Sequence, residues 1–194
     1  MQENTPTLFV EINHLHFVFI VGLYDDSQDL KIIEKIITAK EGMDENKFLN
    51  IELIENIIKK NVKKIEDKLN CVFKDVTIIL DHSFYSCTNI SGFKKLNGSQ
   101  VLKENISYIL NSLKSVITEN EKEKSILHIF NSKNILDGTS IENLPIGLYG
   151  DFYSHELTFF LIRSNDLKNI KQIFNKSNID IKKVLIKNFI EGIQ

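Results

Sequence analysis

Asp81, His82 and Ser83 follow one another in the chain and supply the three residue types of a hydrolase triad. A triad needs acid, base and nucleophile to converge from separate elements, whereas consecutive side chains of an extended segment point to alternate sides. The run therefore predicts no catalytic centre. His14 and His16 lie two apart and would share a strand face. Zinc takes further ligands at fixed geometry, and His82, His128 and His155 are scattered singly, so the five are read as separate, half-buried histidines. Gly147, Gly150 and Asp151, in the run Pro145-Ile146-Gly147-Leu148-Tyr149-Gly150-Asp151, have the look of a phosphate-cradling loop. No lysine–serine ending follows, and the next element reads as a strand that offers an anion no helix N-terminus, so the run is read as a turn and bulge. No catalytic, cofactor-binding or metal-ligating residue is assigned, and the chain is read as a protein without enzymatic activity.

Composition narrows the remaining classes. The 194 residues are 42% hydrophobic and 26% charged, with 24 basic and 26 acidic side chains giving a formal net charge of -2. That length and balance suit a globular domain or two small ones. Arg163 is the single arginine, and no basic stripe is present to offset nucleic-acid phosphates. Residues 1–6 lack a basic leader region, and the longest apolar stretches, 17–21 and 157–162, fall far short of the roughly 20 residues a spanning helix needs. Cys71 and Cys87 form no CxxC pair and read as two reduced thiols of an intracellular protein. Asn89-Ile90-Ser91 and Asn105-Ile106-Ser107 match the glycosylation pattern by chance in an asparagine-rich chain.

The elements that would position these residues follow from periodicity. Residues 7–12, 15–23 and 30–38 are rich in Phe, Val and Ile and predict a three-stranded meander, with a polar turn at 25–27. Ile51, Ile54, Ile58, Val62, Ile65 and Leu69 recur in steps of three or four and predict a helix over 51–69. Asn50 suits its N-cap, Glu52 and Glu55 its positive end, and Lys63, Lys64 and Lys68 its negative end. Lys59-Lys60 and Lys63-Lys64 read as its solvated outer face. The run 76–80 predicts a buried strand, completing a βββαβ unit. A second series follows: a strand over 85–96, a helix over 99–117, and strands over 126–135 and 156–162. The helix has Ser99 as N-cap and Leu102, Ile106, Ile109, Leu113 and Val116 on its inner face. A helix over 166–176, with Leu167, Ile170, Ile173 and Phe174 inward, and a strand over 181–186 close the chain. Pro6 and Pro145 are the only prolines, and no Gly/Ser-rich linker indicates a hinge.

From Ser125 onward, Ile126-Leu127-His128-Ile129-Phe130, Leu136-Asp137-Gly138, Pro145-Ile146-Gly147-Leu148-Tyr149-Gly150 and the strand 156–162 resemble the inserted subdomain of the FtsA family of bacterial actin-like cell-division proteins. The resemblance implies an α/β (α+β mixed) fold: a partial actin-like, ribonuclease-H-type subdomain (1A) with an inserted strand-helix-strand-strand module (1C). The expected division is 1–83 with 179–194 for the first and 84–178 for the second. At the phosphate loop of the family, Asp-x-Gly-Thr/Ser-x-Lys, this chain reads Glu11-Ile12-Asn13-His14-Leu15-His16. Glycine lets the backbone approach a phosphate, a small hydroxyl donates to it, and the aspartate helps place a metal-bound water. Asn13 and His14 put bulk there, Glu11 is one methylene longer, and His16 replaces the lysine. The resemblance with this departure implies a degenerate nucleotide site, with no ATP or other cofactor.

The function implied is that of an FtsA-like division protein acting as an interaction scaffold. Its partners would be other division proteins, with self-association through the inserted subdomain. Its place would be the cytoplasm, at the inner face of the membrane at the division site through those partners. The second phosphate loop and the membrane-targeting helix of the family are expected to lie beyond Gln194, and 187–194 reads as too short and too weakly basic for such a helix. Two alternatives stand beside this. One is a stand-alone adaptor akin to the pilus-assembly actin-like proteins, and the other is an ATP-binding phosphotransferase of the actin superfamily. Apolar edge strands such as 157–162 would need cover from a partner or a lid.

Overall fold

Leu8, Val10 and Ile12 are buried while their neighbours are half-exposed, as a strand with one covered face requires. The computed structural model describes residues 5–25 and 29–187. The leader reading at 1–4, most of the turn at 25–27 and the ending 188–194 thus lie outside the described residues. Along the chain run β1 (Thr7–Ile12), β2 (His16–Tyr24), β3 (Leu30–Ala39), β4 (Met43–Asp44), β5 (Lys47–Phe48), α1 (Ile51–Leu69) and β6 (Asp75–Leu80). After them come β7 (Tyr85–Lys95), α2 (Lys103–Asn120), β8 (Lys124–Leu136), β9 (Thr139–Ile141), β10 (Phe152–Arg163), α3 (Ser164–Asn175) and β11 (Asp180–Ile186). They form two compact units, residues 1–85 with 164–194 and residues 86–163.

The first unit is built on a five-stranded sheet in the order β11-β6-β1-β2-β3. β1 to β3 form the antiparallel meander, and β6 and β11 add in parallel. Parallel strands buried on the sheet read as continuous apolar runs, which is why Val76, Ile78 and Leu80 stood out in sequence. Ile54, Ile58, Val62 and Ile65 form the buried stripe of α1. Its ends are closed as their residue types demand: the Asn50 side chain accepts from the Leu53 amide at 3.0 Å, and Asn70 caps the other end in the left-handed region at φ 50°. The small β4–β5 hairpin has no periodic signal. It turns at Glu45-Asn46, with Glu45 at φ 48°, and Gly42 just ahead of it at φ +84° accepts through its carbonyl from the Leu49 and Asn50 amides, where a Cβ would lie 2.8 Å from the Asn50 oxygen.

The expected insert, 84–178, is longer than the second unit, which ends at Arg163. The reason is α3. Its inner residues Ile170, Ile173 and Phe174 are buried, it packs on α1, and Lys176 reaches the largely buried Glu55 of α1 at 3.0 Å. That face has its partners in the first unit.

The second unit is a four-stranded sheet, β7-β10-β8-β9, with α2 against it. Its core holds Ile109, Leu113 and Ile117 of α2 with Tyr153, Leu157, Phe159 and Leu161 of β10. α2 starts at Lys103, four residues later than expected, because the backbone of 96–101 is already committed. Leu96 N–H donates to Asp151 at 2.7 Å, Gly150 N–H to Ser99 at 3.2 Å and Val101 N–H to Leu148 at 2.8 Å. Ser99 is therefore no N-cap, and Asn105 Oδ1 instead accepts from the Leu102 amide at 2.7 Å. The inner stripe ends on Ile117 rather than Val116, which is 45% exposed. Two polar pairs cross from β10 to β8: Tyr153 Oη donates to Asn134 Oδ1 at 2.8 Å with both residues buried, and the buried His155 places Nε2 2.8 Å from Oδ1 of the exposed Asn131.

Ile65 is wholly buried in the first unit. Ile65→Ala is expected to cost about 2–5 kcal/mol, read as a lower urea midpoint with unchanged slope. In the second unit, burial holds the His155 imidazole below its ordinary value. The unfolded chain then binds the proton more readily, so stability is full above about pH 6.5 and declines as pH falls through that range. Melting temperature between about pH 7.5 and 5 should fall, and His155→Gln should flatten that slope.

Candidate functional site

The residues that drew attention in sequence meet at one end of the first sheet, where β1 passes into β2 and β6 ends. The segment 12–16 is a tight connection closed by Asn13 N–H donating to the His16 carbonyl at 3.1 Å. Asn13 Oδ1 accepts from the amides of Leu15 at 2.9 Å and His16 at 2.7 Å. A carboxamide two residues upstream thereby takes the backbone donors of the loop, as Asx turns do. A phosphate cradle needs such amides free and pointing at the anion. Asn13 Nδ2 donates to Glu11 Oε1 at 3.2 Å, and Lys187 Nζ reaches the same oxygen at 2.9 Å.

β6 delivers Asp81 beside this loop, its amide donating to the Ile12 carbonyl at 3.2 Å. Asp81 is not followed by an extended segment as expected. His82–Phe84 form a single 3-10 turn, and the turn lets adjacent side chains meet. His82 Nδ1 contacts Asp81 Oδ1, and His14 Nδ1 lies 3.2 Å from Asp81 Oδ2. Burial works to raise the Asp81 pKa, but the hydrogen bond from His14, the charge of His82 and the backbone amides of His82 and His14 outweigh it. The carboxyl is held below its ordinary value. Lys40, 9% exposed, donates to the Glu45 carbonyl and lies 5.8 Å from the centre of the Phe84 ring. Burial pulls its pKa down against the opposing fields of Asp81, Asp44 and Glu45.

The arrangement is an internally paired network with no placed nucleophile. Ser83 Oγ is buried without a hydrogen-bond partner among the described residues, and the triad types do not converge. His16 opens β2 opposite Ala39, apart from the Asp81 contacts of His14. His128, beside Phe130 at 6.0 Å, and His155 belong to the second unit. Among the described residues no three His, Cys, Asp or Glu side chains are grouped to hold a metal ion. Gly147 sits at φ +88° in the turn where Leu148 N–H donates to the Pro145 carbonyl at 3.1 Å, and Gly150 exchanges backbone bonds with Gly98 and Ser99. That run is a turn and ladder end. Both cysteines are free, with burial raising the pKa of each thiol. Lys40 and Lys187 were missed because a lone lysine carries no spacing signal. No helix among the described residues is long and apolar enough to cross a membrane.

Over 176 residues, 91% of this chain, the sequence is 27% identical to the cell division protein FtsA of Buchnera aphidicola subsp. Schizaphis graminum. The chain resembles FtsA. The FtsA of Escherichia coli strain K12 is 19% identical over 144 residues, 74% of this chain. These stretches cover 42% and 34% of the two relatives, so the chain spans well under half the length of the FtsA proteins it matches. No family model matches it. Among solved structures, a chain of the PilM–PilN type IV pilus biogenesis complex superposes with a TM-score of 0.61 over 96% of this chain and 48% of its own length, at 10% identity. The fold is the mixed α/β, actin-like one.

Asn13→Ala removes both side-chain bonds to the 15 and 16 amides. A loss of about 1–3 kcal/mol is expected in urea titration, at about 0.5–1.5 kcal/mol per bond. Asp81→Asn is expected to weaken the acid dependence of stability, since the native carboxylate contributes above its unfolded pKa and that contribution is lost as pH falls through the depressed folded value.

Proposed function

We infer that this chain is an FtsA-like cell-division protein working as a non-enzymatic interaction scaffold, its nucleotide site degenerate. The observation that carries the reading is the Asn13 carboxamide seated on the Leu15 and His16 amides. The donors that an actin-like protein would turn toward a phosphate are spent inside the loop, and Glu11 and Asp81 add negative charge beside it. With the motor chemistry gone, what remains to do work is surface: partners are other division proteins, and self-association runs through the inserted unit. Its place is the cytoplasmic side of the membrane at the division site, reached through those partners.

A second reading, an adaptor akin to pilus-assembly proteins, is favoured by the superposition on the PilM–PilN complex over 96% of the chain. Two-hybrid or co-purification assays against FtsZ and other division proteins, in parallel with a PilN-type membrane peptide, separate the two. The degenerate site has its own test. Melting with about 1 mM ATP and magnesium is expected to leave the midpoint unchanged, because a ligand stabilises only by what it binds to the native state. A rise of several degrees would overturn it.

A further inference from the structure

In the second unit β7 is an edge strand, hydrogen-bonded to β10 on one side and to no other strand among the described residues. Exposed edges are normally blunted by shortness, proline or charge, because a row of free N–H and C=O groups invites another strand. β7 has 11 residues, no proline and, from Tyr85 to Gly92, no charge. Beside it lies a pocket of about 240 Å³ between strand and helix, lined by Ser91, Gly92 and Phe93 of β7 and by Tyr108, Ile109 and Leu113 of α2. Gly92 brings the strand backbone so close to α2 that a Cβ would sit 2.7 Å from Ile109 Cγ2. Tyr108 of α2 and Phe93 of β7, both among the lining residues, are 58% and 72% exposed, in an aqueous position that neither aromatic ring would favour alone.

Charge selects the occupant. Lys94 and Lys95 close one end of β7, with Lys94 Nζ 4.4 Å from the centre of the Tyr108 ring, and neither the strand nor the pocket lining includes an acid. A second copy paired antiparallel through the same edge would bring its lysines to the neutral start of β7 and gain no ion pair.

Resting on the scaffold reading, we propose that the β7–α2 groove takes an extended segment of another protein as an added strand. One apolar side chain of that segment enters the pocket over Gly92, and one or more acidic residues reach Lys94 and Lys95. Main-chain bonds supply affinity, and the pocket and the lysines supply selection.

The test pans a phage library of random dodecapeptides against the full chain. Enriched peptides are expected to combine β-forming residues around one large apolar residue with acidic residues to one side. Their amides, and those of 86–95, should gain protection from hydrogen exchange in the complex. Phe93→Ser with Tyr108→Ala should weaken binding by about tenfold or more, the equivalent of 1.4 kcal/mol. Lys94→Glu with Lys95→Glu, remote from the core, should shift enrichment to basic peptides, which a merely unfolded variant would not do. No enrichment, or bound peptides that leave 86–95 and 105–113 unperturbed in NMR spectra, overturns the proposal. Division-partner binding that survives the Phe93/Tyr108 variant overturns the groove while leaving the scaffold intact; loss of all partner binding by the native chain overturns the scaffold itself.

Discussion

The parallel pairing of β6 with β11 holds the first unit together. Val76 lies beside Ile181, Ile78 beside Val184 and Leu80 beside Ile186, so the sheet is completed by residues that follow the whole inserted unit in sequence. Everything between must close as a loop, and closing a long loop costs entropy that rises only slowly with its length. A folded insert is therefore tolerated where a disordered one of equal length would be no cheaper. The same junction fixes β6, and hence Asp81, against the Ile12 carbonyl and the Asn13 turn.

That turn satisfies its own backbone. The hairpin needs its 15 and 16 amides satisfied whether or not an anion is present, because unpaired donors near a buried sheet end are costly. Asn13 meets that need from within. Around it Lys187 pairs with Glu11, and His14 and His82 both contact the Asp81 carboxylate.

Much of the architecture was legible in the chain. The α1 stripe, its Asn50 cap and the meander follow from local periodicity and capping chemistry, and the departure from the phosphate motif was visible residue by residue. What escaped was non-local. The late start of α2 depends on backbone bonds from 96–101 to 147–151, and the assignment of α3 to the first unit depends on a face matched to α1, which no window of sequence contains. At the site, an extended reading of 81–83 hides the 3-10 turn after Asp81, and His14, from the neighbouring loop, is equally needed to bring the carboxylate its second imidazole.

The buried Asn134–Tyr153 pair and the half-buried Asn131–His155 pair set a different kind of limit. Both join β8 to β10, and both fail together if either strand slips by one position, since every side chain then changes sides. Residues 142–146 sit outside both strands and outside the 96–101 ladder. Chain growth among relatives should thus be absorbed there, while a one-residue slip of either strand would strand three buried polar side chains, Tyr153, Asn134 and His155, at once.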